Sequence, residues 1–176
     1  MTLKSQVEAV LQAAGTPYAL IGAGALSVHG VTRATSDFDF LVLDPSCLRL
    51  DFWTSLKSHG ISIDVRKGDL TDPLAGVVRF KLPGEGDVDV VVGKFKWQRK
   101  VLDRAAIRTT QHGNLPVVRA ADLILLKLYA GSAQDAWDIQ QLLEGDDRGE
   151  LIAEVEKLLP ELPSEAAKLW RKILEG

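Results

Sequence analysis

The chain has 176 residues, 46% of them apolar, with 21 basic and 24 acidic side chains and a net charge of −3. That length fits one domain with a real core, and it excludes global disorder and a protein that coats nucleic acid through bulk positive charge. The single cysteine, Cys47, excludes an intramolecular disulfide and suits a reducing cytoplasm; with only His29, His59 and His112 beside it there is no zinc signature. No apolar run is long enough to span a membrane, and the amphipathic, acid-bearing stretch from Met1 to Gly15 lacks the apolar heart of a signal peptide.

In chain order, Leu3, Val7, Val10 and Leu11 recur at helical spacing, with Gly15 as a C-cap. "YALI" reads as a strand, and Ala23 to His29 as a short helix closed by Gly30. "FDFLVL" is a strand stopped by "DPS". "LRLDFWTSLKSHG" predicts a helix ending at Gly60. "ISIDVRK" alternates as a strand; "GVVRFKL" and "VDVVVG" are two more, joined by "PGEGD". A helix is expected from Lys96 to about Ala106, then a hairpin over "IRTTQHGNLPVV". From Ala120 the pattern is helical: "AADLILLKLYAG", "AQDAWDIQQLLE" and two closing helices either side of Pro160 and Pro163. Strands followed by a helical third predict an α/β (α+β) fold, a mixed sheet flanked by helices. A sheet domain over 1–118 and a helical part over 119–176, packed together as one unit, are the expected organisation.

The stretch "YALIGAGALSVHGVTRATSDFDFLVL" carries the chemistry. A dinucleotide-binding turn would need a third glycine where Ser27 stands, and a long crossover helix for which the chain leaves no room. "DFDF" offers a different reading. Alternation along a strand puts Asp37 and Asp39 on one face, about 6–7 Å apart, with Phe38 and Phe40 on the other. Paired carboxylates at that spacing repel unless a cation lies between them, and hard oxygen donors suit Mg²⁺. The glycine turn upstream offers backbone N–H groups to phosphate. "VDVVV" adds a further acid on a later strand. Asp87 and Asp89 share one face there; Asp89 lies inside the apolar run, where an acid needs a reason. A phosphate cradle, paired acids and a third acid are the parts of a metal-assisted phosphoryl-transfer site.

Tyr18 to Val42, "GDVDVVVG" and "VRAADLILLKLYAGSAQDAWDIQQLL" together resemble the DNA polymerase β-type nucleotidyltransferase superfamily. The similar branch is the minimal bacterial one that includes the type IV toxin (abortive-infection) nucleotidyltransferases. The resemblance implies a nucleotidyltransferase-type sheet and transfer of a nucleoside monophosphate from an NTP, with two Mg²⁺ ions, to an acceptor hydroxyl. The acceptor would be tRNA or another RNA, a protein or a small molecule, and an antitoxin would be a partner. A catalytically silent nucleotide-binding protein of the same fold is the alternative. By position, Gly22 and Ala23 would form the phosphate-binding turn, with Ala23 where Gly or Ser is usual. Asp37, Asp39 and Asp89 would hold the metals, and Asp89 would help remove the acceptor proton. Lys127 would reach the triphosphate, and Asp135 or Asp138 would orient it or touch base or acceptor.

Between turn and acids lie Arg33 and Thr35. Arg33 is expected either to bind nucleotide phosphate or to orient Asp37 or Asp39. His29 suits a helix C-terminus, and Ser27 a helix surface. Lys127 is expected at the margin of an apolar helix. "KFKWQRK" reads as an amphipathic helix with a basic face, or as a nucleic-acid contact.

Overall fold

The alternating segments assemble into one seven-stranded mixed sheet. In the computed structural model, which describes residues 1–176, its strands are β1 (Tyr18–Ile21), β2 (Phe38–Val42), β3 (Ser62–Lys67), β4 (Gly76–Lys81), β5 (Val88–Val92), β6 (Ala106–Thr110) and β7 (Gly113–Val117). The order across the sheet is β3-β4-β5-β2-β1-β7-β6. β2 runs parallel to β5 and β1 parallel to β7; every other neighbouring pair is antiparallel. The helices are α1 (Leu3–Ala13), α2 (Gly22–Val28), α3 (Lys96–Asp103), α4 (Ala120–Ala130), α5 (Ala133–Leu142), α6 (Arg148–Leu158) and α7 (Ser164–Glu175).

Register divides the sheet into two chemically distinct faces, because directly paired residues point the same way. Tyr18, Leu20, Phe40, Val88, Val90, Val78 and Phe80 share one face. α1 covers it, with Glu8 accepting from the Tyr18 hydroxyl at 3.1 Å. The segment Leu50–His59 covers it too, with the Trp53 ring edge-on to Phe80 at 4.7 Å. The opposite face carries Ala19 and Leu41 but also Asp39, Asp89 and Arg79. α4 flanks this charged patch: Lys127 lies near enough to Asp39 to bear on its ionisation. One continuous core runs from Leu3 of α1 through the strands to Ile173 of α7.

Two elements differ from the sequence expectation. Leu50–His59 winds as a 3₁₀ helix with a break at Trp53, and not as an α-helix. Its winding follows that tryptophan, which is fully buried and donates its indole N–H to the Cys47 carbonyl at 2.8 Å. α3 stops at Asp103, because Arg104 is drawn to Asp122 of α4 and Ala106 already opens β6. No helix is long and apolar enough to cross a membrane.

Candidate active site

Charged side chains form two rows across β4, β5 and β2. In the first, Arg79, Asp89 and Asp39 are direct register partners. Arg79 grips Asp89 with both ends of its guanidinium, Nε to Oδ1 at 2.8 Å and Nη2 to Oδ2 at 2.6 Å. In the second, Lys81 pairs with Asp87 at 3.0 Å, and the Asp87 backbone N–H donates to Asp37 Oδ1 at 2.9 Å. Each row therefore reads base, acid, acid. Asp89 and Asp87 have their counter-ions; Asp39 and Asp37 do not.

Asp39 shows the consequence. Its carboxylate is largely buried and takes no hydrogen bond or ion pair from the protein; burial, then the charges of Asp89 and Asp37, push its pKa up to about 6. The turn into α2 closes over it. Gly22 has φ +63°, and a Cβ there would lie 2.2 Å from Asp39 Oδ2. Glycine is required on both counts, backbone conformation and closeness. Ile21, at the N-cap, gives no side-chain hydrogen bond, so the first-turn N–H groups around Ala23 are uncapped beside the carboxylate.

Two cations meet at one buried acid. Asp138 on α5 is fully buried. It accepts from Lys127 Nζ at 2.6 Å, from Arg33 Nη1 at 3.1 Å and from Gln134 Nε2 at 3.0 Å. Lys127 also donates to Asp135 Oδ1 at 3.1 Å. Asp135 is itself set by a reciprocal capping box with Ser132, which starts α5. The burial of Lys127 corrects the expectation that it sits at a helix margin: α4 is enclosed on nearly every side, and the lysine ends between Asp135 and Asp138.

Arg33 pairs with Asp138, so of its two expected roles the structure does not give it the orienting of Asp37 or Asp39; the loop before β2 swings it toward α5. Thr35 instead touches Asp37, its Oγ1 accepting the Asp37 backbone N–H at 3.1 Å. His29 Nε2 lies 2.8 Å from the Val118 carbonyl oxygen, tying the end of α2 to the exit of β7. Ser27 donates to the Ala23 carbonyl within its own helix. "KFKWQRK" is amphipathic: Trp97 and Gln98 are buried, while Lys96, Arg99 and Lys100 are exposed. Sequence reasoning passed over Arg79, Lys81 and Gln134. A signal for the first two was there, since "RFK" and "DVD" alternate basic and acidic residues on the two arms of one hairpin.

The donor set of Asp37 and Asp39 fits a hard divalent cation. Asp39 has both oxygens free and Asp37 has Oδ2 free. Asp89 is turned to Arg79, and no three His, Cys, Asp or Glu side chains are arranged to hold a metal ion together. A cleft of about 490 Å³ opens beside Asp37, lined by Ser27, Arg33, Thr35, Thr109, Gln111 and His112 among others.

No family model and no curated protein matches the sequence. Solved structures match the fold. The lincosamide antibiotic adenylyltransferase LnuA, bound to lincomycin, is similar with a TM-score of 0.51 at 14% identity, over 81% of this chain and 96% of that one. The antibiotic-resistance factor ANT(2″)-Ia in solution is similar with a TM-score of 0.56 at 13% identity, over 99% and 96%. The same protein in complex with adenylyl-2″-tobramycin gives 0.55 at 11%, over 90% and 95%. At such identities the likeness is one of fold, and the chain has the mixed-sheet nucleotidyltransferase fold of these structures.

Proposed function

We propose that this protein moves a nucleoside monophosphate from an NTP to an acceptor hydroxyl, releasing pyrophosphate. The carrying observation is Asp39, a largely buried carboxylate without a protein partner, beside Asp89 and Asp37 and beneath the Gly22 turn. Asp37, Asp39 and Asp89 are the residues that would hold Mg²⁺, which when bound supplies positive charge to the polyphosphate and the reacting oxygens.

The protein's own groups divide the remaining work. The first-turn N–H groups at Gly22 and Ala23 receive phosphate oxygens. Lys127 and Arg33 direct positive charge at the polyphosphate, and Asp138 and Asp135 hold them in place. Asp89 takes the proton of the acceptor hydroxyl. The cleft beside Asp37 has the volume of a small-molecule site, and the acceptor is a small molecule, RNA or protein. Three acids on one sheet face speak against a silent member of the fold.

Labelled transfer from each of the four NTPs, screened against hydroxylated small molecules, total RNA and total protein with Mg²⁺, tests the reading. Incorporation that disappears in Asp39→Asn supports it. Saturable NTP binding with no transfer to any acceptor overturns it.

A further inference from the structure

We propose that Arg79 is a built-in counter-ion that a divalent cation must displace from Asp89. The inference rests on the carboxylate site proposed above and concerns how that site admits its cation. Asp39 and Asp89 stand opposite each other on adjacent parallel strands, yet they are treated differently. Asp39 has no partner, whereas both Asp89 oxygens are taken by one guanidinium. A cation held by both acids would need an Asp89 oxygen and would meet there the positive guanidinium already bonded to both, so the two cations oppose each other.

The placement of Arg79 suits an exchangeable partner. Its side chain is 43% exposed while that of Asp89 is 14% exposed, so the base has solvent to move into and the acid does not. Arg79 approaches from β4, on the side of β5 away from β2. Its departure therefore leaves the Asp39–Asp89 pair in register. Asp87 has an equivalent partner in Lys81, at 58% exposure, and that pair is a weaker single contact. The cation-free protein is thus held in a charge-balanced state at Asp89. Cation binding exchanges one bidentate pair for metal–oxygen bonds, and Arg79 sets the cation concentration at which the site fills.

The test is Mn²⁺ binding to the nucleotide-free protein, followed by titration calorimetry and by the Mn²⁺ resonance signal, in wild type, Arg79→Gln, Arg79→Lys and Asp39→Asn. Unfolding temperature is recorded for each in EDTA and in excess Mn²⁺. Arg79→Gln is expected to bind Mn²⁺ about tenfold more tightly or better, because a charge-assisted double bond no longer opposes the ion. It should also unfold earlier in EDTA and gain more from Mn²⁺ than wild type does. Arg79→Lys, which keeps the charge but loses the fork, falls between the two and serves if the glutamine variant fails to fold. Equal or weaker Mn²⁺ binding by Arg79→Gln, with binding still abolished by Asp39→Asn, overturns the role of Arg79 and leaves the nucleotidyltransferase reading standing. Mn²⁺ binding indifferent to Asp39→Asn, or absent altogether, removes the carboxylate site itself and this proposal with it.

Discussion

The backbone of Gly22 rests on the carboxylate of Asp39, at a closeness that leaves 2.2 Å between a hypothetical Cβ and Oδ2. Gly22 also has φ +63°, so alanine there meets both strain and collision. Gly22→Ala is expected to lose about 1–3 kcal/mol in urea unfolding. Transfer should fall at least a hundredfold, since the turn proposed to receive phosphate must lift off the acid beneath it. Gly24→Ala is the contrast: its Cβ would meet only the flexible end of Leu20, at 3.1 Å. A loss of less than about 1 kcal/mol and near-normal transfer are expected there. Equal losses in the two variants would mean that the turn needs glycine only for packing.

Asp39 makes stability depend on pH in a defined direction. Its pKa in the fold is pushed up to about 6, chiefly by burial and then by Asp89 and Asp37, against about 3.9 in an unfolded chain. Between those values the folded chain keeps a proton that the unfolded chain has released. The contribution of Asp39 to stability therefore falls as pH rises through this window and stays lost above it, by about 3 kcal/mol. Asp39→Asn should be the more stable protein at pH 7.5 in EDTA, by about 2–3 kcal/mol, and should lack this part of the pH slope. Excess Mg²⁺ should stabilise wild type at pH 7.5 and leave the asparagine variant unmoved. Superimposable pH profiles of the two proteins would show that Asp39 carries no such burden.

Periodicity made the sheet legible, and long-range pairing hid much of the site. Alternation in "ISIDVRK" and "GVVRFKL" and the apolar run in "VDVVVG" correspond to β3, β4 and β5, and the glycines after α1, α2 and α4 mark where those helices stop. Leu50–His59 carried a helical pattern, but nothing in that pattern weighs a buried Trp53 bonded to a preceding turn. The acids Asp37, Asp39 and Asp89 could be named from two short strings, because strand alternation fixes their face. Their counter-ions could not be assigned: whether Arg79 meets Asp89 depends on hairpin register, and Arg33 meets Asp138 across 105 residues of chain. Lys127 was placed wrongly for a related reason. A lysine among leucines reads as a margin residue until a buried acid from the next helix is known to face it.

Asp138 is the hub that those long-range pairs create. Asp138→Ala leaves buried Lys127 with Asp135 alone and takes the partner of Arg33 as well, and is expected to cost about 3–5 kcal/mol. Lys127→Met leaves Asp138 with Arg33 and Gln134 and should cost less, about 1–3 kcal/mol. The double variant Lys127→Met/Asp138→Leu replaces the pair by packing and should recover most of either loss. It should not recover nucleotide affinity if Lys127 has the proposed role at the polyphosphate. Thermal unfolding and NTP binding on the three proteins separate the two effects, and additive stability losses would deny that the pair acts as a unit.

A second fully buried acid on α4 supplies the control for that experiment. Asp122 is clamped by Arg104, whose Nε lies 3.2 Å and 3.1 Å from its two oxygens, and the pair ties the end of α3 to the start of α4. Arg104 is partly exposed, so water can take up the guanidinium when the acid is removed. Asp122→Ala should therefore cost less than Asp138→Ala, about 1–3 kcal/mol. Asp122 touches neither Lys127 nor any of the acids on β2 and β5, so the nucleotide affinity of the folded fraction should not change. Urea unfolding and equilibrium NTP binding at 10 °C, well below the unfolding transition, give the two quantities. A variant that keeps its stability but loses nucleotide would move Asp122 into the site, whereas the expected split confines it to the junction of α3 with α4 and leaves Asp138 as the buried acid through which packing and nucleotide binding are linked.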